Sequence, residues 1–235
     1  MGSAMIAGWL QSETIKLHVL CRQPLTLPVK YYSETGYKDF IDAVDIIFIA
    51  VKPKDWPNLA PHLHTDKLKV SLMAGVLLAD LTLSDNNWAR IMPNLPVSKG
   101  LGCIAIYHNL VSHDELLEQA LKPLGSCIML SEEQQINSFT ALAGSGPAWL
   151  WHYANIWQNT AVKLGFDKTT AREIVLSTIA GALAISSDKD FIELCQQVAS
   201  RGGTTEAGLA QLAQGQNLEQ AILAARDKAN ELGQA

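Results

Sequence analysis

The first 130 residues alternate short, continuously apolar runs with segments whose apolar residues recur at helical spacing. That alternation is the mark of a parallel sheet covered by helices. Strands are predicted at residues 16–21, 45–51, 69–74, 90–92, 102–107 and 127–130. The clearest, Asp45-Ile46-Ile47-Phe48-Ile49-Ala50-Val51, is apolar without alternation, as a strand buried on both faces is, and Lys52-Pro53 stops it. Helices are predicted at residues 4–11, 37–44 and 113–124, the last with Asp114 and Glu115 in its opening turn, where the helix dipole favours negative charge.

After Leu130 the strand-like runs end and proline becomes scarce, while Ala, Leu, Gln and Glu dominate with apolar residues at helical spacing. The pattern predicts helices at 147–164, 168–186, 190–200, 205–213 and 218–232, with Pro147 in a first turn and breaks at Ser186-Ser187-Asp188 and Gly215. The fold class is therefore an α/β domain over residues 1–130 followed by an all-α domain over 131–235. The helix after Pro147 carries Trp149, Leu150, Trp151, Tyr153, Ile156 and Trp157, so it must be buried on more than one side. Its aromatics read as core or interface residues, and a subunit interface is the natural second burial surface.

Composition narrows the function classes. Of the 235 residues 48% are hydrophobic and 17% charged, enough to build a real core. Lys+Arg number 18 against 23 Asp+Glu, a net charge of -5, which argues against general electrostatic binding to nucleic acid or anionic membrane. The longest apolar stretches, such as residues 46–51, fall far short of the roughly 20 residues that cross a bilayer. No basic-then-apolar leader opens the chain, so a cytoplasmic protein is expected. Cys21, Cys103, Cys127 and Cys195 are scattered without a CxxC pair and read as reduced, mostly buried thiols. The six histidines, among them His62 and His64, have no metal-ligand spacing, so no metal is expected.

The opening Met1-Gly2-Ser3-Ala4-Met5-Ile6-Ala7-Gly8-Trp9-Leu10 reads as the helix after a dinucleotide-binding turn, with Gly2 as the third glycine of G-x-G-x-x-G. Such a helix start offers free N–H groups to a pyrophosphate; the competing reading is a small-residue packing helix. The strand and first two glycines of that fingerprint are not in the sequence. A truncated or internal-start version of the domain is therefore expected, with weaker folding or cofactor binding than a chain extended by a strand and a Gly-x-Gly turn.

About 20 residues after Gly2, where the cofactor is chosen, stand Arg22 and Gln23 with no carboxylate. NADP(H) is favoured, with NAD(H) the alternative; otherwise Arg22 is a solvated loop cation. Three more loops follow predicted strand ends, at residues 50–53, 73–76 and 92–96. Their Ala50, Val51, Pro53, Ala74, Gly75, Pro93 and Asn94 are candidates to line a flat cofactor ring, and Lys52 either touches a ligand or is simply solvated. Near the other end, Ser200-Arg201-Gly202-Gly203-Thr204-Thr205 is a glycine turn feeding a helix, able to present unpaired N–H donors and hydroxyls to an anion such as a carboxylate. A helix cap by Thr204 or Thr205 is compatible with that role.

The series Ala50-Val51-Lys52-Pro53, Met92-Pro93-Asn94, Gly144-Ser145-Gly146-Pro147-Ala148, Val162-Lys163-Leu164-Gly165 and Ser200-Arg201-Gly202-Gly203-Thr204-Thr205-Glu206-Ala207-Gly208-Leu209 resembles pyrroline-5-carboxylate reductase in order and spacing along essentially the whole chain. The resemblance implies a Rossmann-like dinucleotide-binding domain whose first strand is missing, followed by a helical substrate-binding and dimerisation domain. It implies NAD(P)H-dependent reduction of 1-pyrroline-5-carboxylate to L-proline by a homodimer or higher assembly. The substrate carboxylate would bind the turn through Ser200, Gly202, Gly203, Thr204 and Thr205, with the Thr205 hydroxyl reaching the ring nitrogen. Gly2, Ser3, Arg22, Gln23, Ala50, Val51, Lys52, Pro53, Ala74, Gly75, Pro93 and Asn94 would hold the cofactor. Leu95, Ala143 and Trp149 stand where the family commonly has threonine, serine and tyrosine. Alternatives are a reductase of another small cyclic imine and a catalytically impaired homologue acting only as a dimeric binding protein.

Overall fold

A computed structural model describes residues 1–23, 26–33, 35–81, 87–108, 114–186 and 189–233. Pro24, the expected helix start at His113 and the expected break at Ser187-Asp188 lie outside the described residues. The chain divides into two compact units, the first Met1–Pro147 and the second beginning at Ala148.

The first unit opens with helix α1 (Gly2–Trp9), followed by β1 (His18–Leu20), β2 (Lys30–Tyr32), α2 (Tyr37–Asp42) and β3 (Ile46–Ile49). Next come a 3₁₀ turn at Pro53–Asp55, α3 (Trp56–Leu59), β4 (Leu68–Ser71), α4 (Leu78–Leu81), β5 (Trp88–Pro93) and β6 (Gly102–His108). The unit continues through α5 (Asp114–Leu121), β7 (Gly125–Met129), α6 (Gln135–Phe139) and a π-helical turn at Thr140–Gly144.

β3, β4 and β5 run parallel, β6 is antiparallel to β5, and β7 is parallel to β6. The five-stranded sheet is ordered β3-β4-β5-β6-β7, and β1 and β2 form a separate parallel pair. The sheet expected to be parallel is parallel-dominated, with one reversal. β6 reverses direction after the tight 3₁₀ segment Leu95–Lys99, which Gly100 closes with φ 69°. Among the described residues no strand pairs with both β1 and β3, the place of the strand expected to be missing.

Period-2 alternation in a sheet covered on both faces sorts its residues into two cores. Ile46 and Phe48 of β3 pack with Val70, Ile91, Ile104 and Ile106 against Met5, Trp9, Leu117 and Leu121 of the flanking helices. Ile47 and Ile49 face the other way, onto Trp56, Leu63, Met73, Leu78 and Trp88. The Trp9 indole N–H donates to the Ala120 carbonyl at 2.6 Å, so α1 is tied to α5. Gly8 lets α1 approach the 3₁₀ segment closely, because a Cβ there would lie 2.1 Å from the Val97 carbonyl oxygen.

Residues 131–147 pack with this first unit. Glu133 explains part of that placement: its carboxylate accepts from buried Arg90 of β5 at 2.9 Å and from the Leu78 N–H at 2.8 Å.

The second unit is helical, comprising α7 (Gly146–Lys163, its first residues in the first unit), α8 (Lys168–Ala184), α9 (Phe191–Val198), α10 (Thr204–Ala213) and α11 (Leu218–Leu232). Its helix starts are set by side-chain caps. Asp167 accepts from the N–H groups of Thr169 and Thr170, and Asp190 from those of Ile192 and Glu193. Asn217 and Gln220 form a capping box. Hydrogen bonding from Thr170 holds the Asp167 carboxyl below its usual pKa.

The cysteines correct another expectation. All four are free, Cys127 and Cys195 are exposed, and Cys21 and Cys103 are half-buried. Trp149, Trp151 and Tyr153 are more than half exposed, at 52%, 57% and 57%, so this part of α7 is left uncovered by the described residues.

Candidate active site

Parallel pairing of β3, β4 and β5 puts the loops after all three at one edge of the sheet. Ala50, Val51, Lys52 and Pro53 follow β3; Ala74 and Gly75 follow β4; Pro93 closes β5 and Asn94 follows it. The α1 N-terminus reaches the same edge: a Cβ on Gly2 would meet the Ala50 Cβ at 3.0 Å. The ladder of α1 begins when Ala4 and Met5 donate to the Met1 carbonyl, so the N–H groups of Gly2 and Ser3 precede it. The result is a dipole-positive helix start over small residues, a fit for a pyrophosphate.

Arg22 follows β1 and reaches this edge through a contact that the sequence did not signal. Its Nη2 lies 3.6 Å from Oδ2 of Asp55, in the turn after Lys52. Gln23 is exposed beside it.

Asn94 is buried, and both ends of its amide are engaged. Oδ1 accepts from the Cys103 N–H at 2.9 Å and Nδ2 donates to the Ala143 carbonyl at 3.1 Å. Ala143 lies in the π-helical turn, where the Ser145 N–H reaches back five residues to the Thr140 carbonyl at 3.0 Å. Single π turns of this kind recur at functional sites. Asn94 therefore sets the loop after β5 against the Gly144-Ser145-Gly146 turn.

In the second unit the segment 200–205 forms one tight turn. Gly202 has φ 70°, which favours glycine. The Gly203 N–H donates to the Ser200 carbonyl at 3.0 Å. A Cβ on Gly203 would lie 2.3 Å from the Ser200 hydroxyl, so only glycine lets that hydroxyl cover the turn. The α10 ladder starts with the Ala207 N–H on the Gly203 carbonyl, leaving the N–H groups of Thr204, Thr205 and Glu206 ahead of it. Thr204 and Thr205 are half-buried. Glu206, absent from the sequence-derived candidates, accepts the Gly202 N–H at 2.7 Å. Among the described residues, no group of three or more His, Cys, Asp or Glu side chains is placed to hold a metal ion, and no helix is long and apolar enough to cross a membrane.

Two comparisons bear on this arrangement. Residues 133–232 match the family described as pyrroline-5-carboxylate reductase dimerisation. Pyrroline-5-carboxylate reductase 2 of Bacillus subtilis (strain 168) is 32% identical over 243 aligned positions, which cover 95% of this chain and 87% of that protein. The chain belongs to the pyrroline-5-carboxylate reductase family.

Solved reductases agree in fold. The Coxiella burnetii pyrroline-5-carboxylate reductase superposes with a TM-score of 0.80 at 26% identity, over 99% of this chain and 94% of that one. The Plasmodium falciparum pyrroline carboxylate reductase, solved with NADP bound, gives a TM-score of 0.81 at 24% identity, over 98% of this chain and 92% of that one. The helical residues 133–232 thus correspond to the family's dimerisation module.

Proposed function

We propose that this chain reduces the imine of 1-pyrroline-5-carboxylate to L-proline, the last step of proline biosynthesis, with NADPH preferred over NADH. The observation that carries the reading is the turn at 200–205, where three N–H groups stand ahead of the α10 ladder beside the hydroxyls of Ser200, Thr204 and Thr205. A helix start of this form suits a carboxylate, the group that every substrate of this family's named reaction carries. Family membership along 95% of the chain supports the same chemistry.

When bound, the reduced nicotinamide supplies the hydride. The chain's own task is placement, because a protonated imine is already electrophilic and needs little acid catalysis. Gly202 and Gly203 shape the turn, which holds the substrate carboxylate through the hydroxyls of Ser200 and Thr204 and the N–H groups that stand ahead of the α10 ladder. The Thr205 hydroxyl accepts a hydrogen bond from the N–H of the protonated imine and orients it; once hydride addition gives the nitrogen a lone pair, the hydroxyl donates to it and relays a proton from water, since an unperturbed threonine is too weak an acid to give up its own. Gly2 and Ser3 would hold the pyrophosphate, Arg22 and Gln23 the adenosine ribose, and the loops with Ala50, Val51, Lys52, Pro53, Ala74, Gly75, Pro93 and Asn94 would line the ring. The close Gly2–Ala50 approach fits such a cradle. The protein works as a homodimer or higher assembly through the helical module, and in the cytoplasm, where its four free cysteines stay reduced.

Thr205→Ala tests the role assigned to the turn. Turnover with 1-pyrroline-5-carboxylate is expected to fall by about 100-fold or more while the unfolding midpoint stays unchanged. A variant that keeps wild-type turnover would overturn the assignment.

A further inference from the structure

In dinucleotide folds the tip of the second strand chooses the cofactor: an arginine accommodates a 2′-phosphate, and a carboxylate takes the ribose 2′-hydroxyl. Here the strand tip supplies Arg22, and the neighbouring loop brings a carboxylate to it, Asp55 at 3.6 Å. The arginine side chain is 72% exposed and the aspartate 28%. A pair so open to solvent adds little to stability. Nor is Asp55 needed to start its helix: it sits at the N-cap of α3 but makes no side-chain cap hydrogen bond. The pair is therefore weak enough to open, and among the described residues no other ion pair engages either side chain.

We propose that Asp55 is a specificity-determining residue that restrains the preference for NADPH by competing with the 2′-phosphate for Arg22. NADPH binding exchanges an Asp55 contact for a phosphate contact; NADH, which has no 2′-phosphate, makes no such exchange. The inference rests on the reading of Arg22 as the adenosine-ribose residue.

Calorimetric titration of the full chain with NADPH and with NADH tests it, using Asp55→Asn, Asp55→Glu, Arg22→Ala and the Asp55→Asn/Arg22→Ala pair. Asp55→Asn is expected to tighten NADPH binding by about two- to fivefold, the upper scale of one exposed ion pair, with NADH affinity unchanged. Asp55→Glu, which keeps the charge, is expected to give no gain. The gain should shrink as salt screens the pair and vanish in the Arg22→Ala background. If Arg22→Ala weakens NADPH selectively and Asp55→Asn leaves NADPH affinity unchanged, Asp55 does not compete and the inference is overturned while the Arg22 reading stands. If Arg22→Ala leaves the NADPH-to-NADH affinity ratio unchanged, the Arg22 reading itself fails and the inference falls with it.

Discussion

Asn94 shows how one side chain carries a requirement on both of its ends. It must accept from the Cys103 N–H and donate to the Ala143 carbonyl, and among side chains of its size only an amide does both. Asn94→Asp keeps the acceptor but sets carboxylate lone pairs against a carbonyl. Loss of one buried hydrogen bond with an unsatisfied partner costs about 1–3 kcal/mol, so the denaturant midpoint of the first unit is expected to fall. An unchanged midpoint would mean that the amide is not engaged as described. The sequence marked Met92-Pro93-Asn94 as a ligand loop without revealing this, because the Ala143 partner lies 49 residues away. Asp55 and Glu206 escaped notice for related reasons. Asp55 matters only through Arg22 in another loop, and Glu206 reads as an ordinary first-turn acid until its bond to the Gly202 N–H is seen.

At the scale of elements, what local pattern and capping decide was legible. The apolar run around β3 became a strand with both faces covered, and α8, α9 and α11 begin where Asp167, Asp190 and Asn217 cap them. What depends on distant partners was not. β2 is three residues, Lys-Tyr-Tyr, stabilised by pairing with β1 across a crossover, and the π-helical turn rests on Asn94. The direction of β6 is another non-local outcome. The fit of α1 is a third: Gly8 was read only as part of a small-residue helix, yet a Cβ there would strike the Val97 carbonyl oxygen at 2.1 Å and Leu124 Cδ2 at 2.6 Å. Gly8→Ala must therefore push α1, which carries Gly2, away from the Leu95–Lys99 segment. Overpacking of this kind costs about 1–3 kcal/mol. A lower melting temperature together with weaker NADPH binding is expected; a variant as stable as wild type would show that α1 is not seated so closely.

At the scale of the whole molecule, the second unit leaves much apolar surface uncovered. Trp149, Trp151, Phe191 and Ile192 are 52%, 57%, 73% and 68% exposed in the single chain, within a segment matching the family's dimerisation module. Large exposed apolar patches mark association surfaces. Light scattering on the purified chain is expected to give a multiple of 25.6 kDa, and the double variant Phe191→Asp/Ile192→Asp a smaller assembly. A wild-type mass equal to one chain at micromolar concentration would contradict this. The assembled protein is expected to act on one small imine. The most direct test is cofactor oxidation by the purified chain with 1-pyrroline-5-carboxylate, run with NADPH and again with NADH, with proline measured as product. Proline is expected to form in step with cofactor consumed, faster at limiting NADPH than at limiting NADH. A folded chain that consumes neither cofactor above the enzyme-free rate would contradict the proposed function.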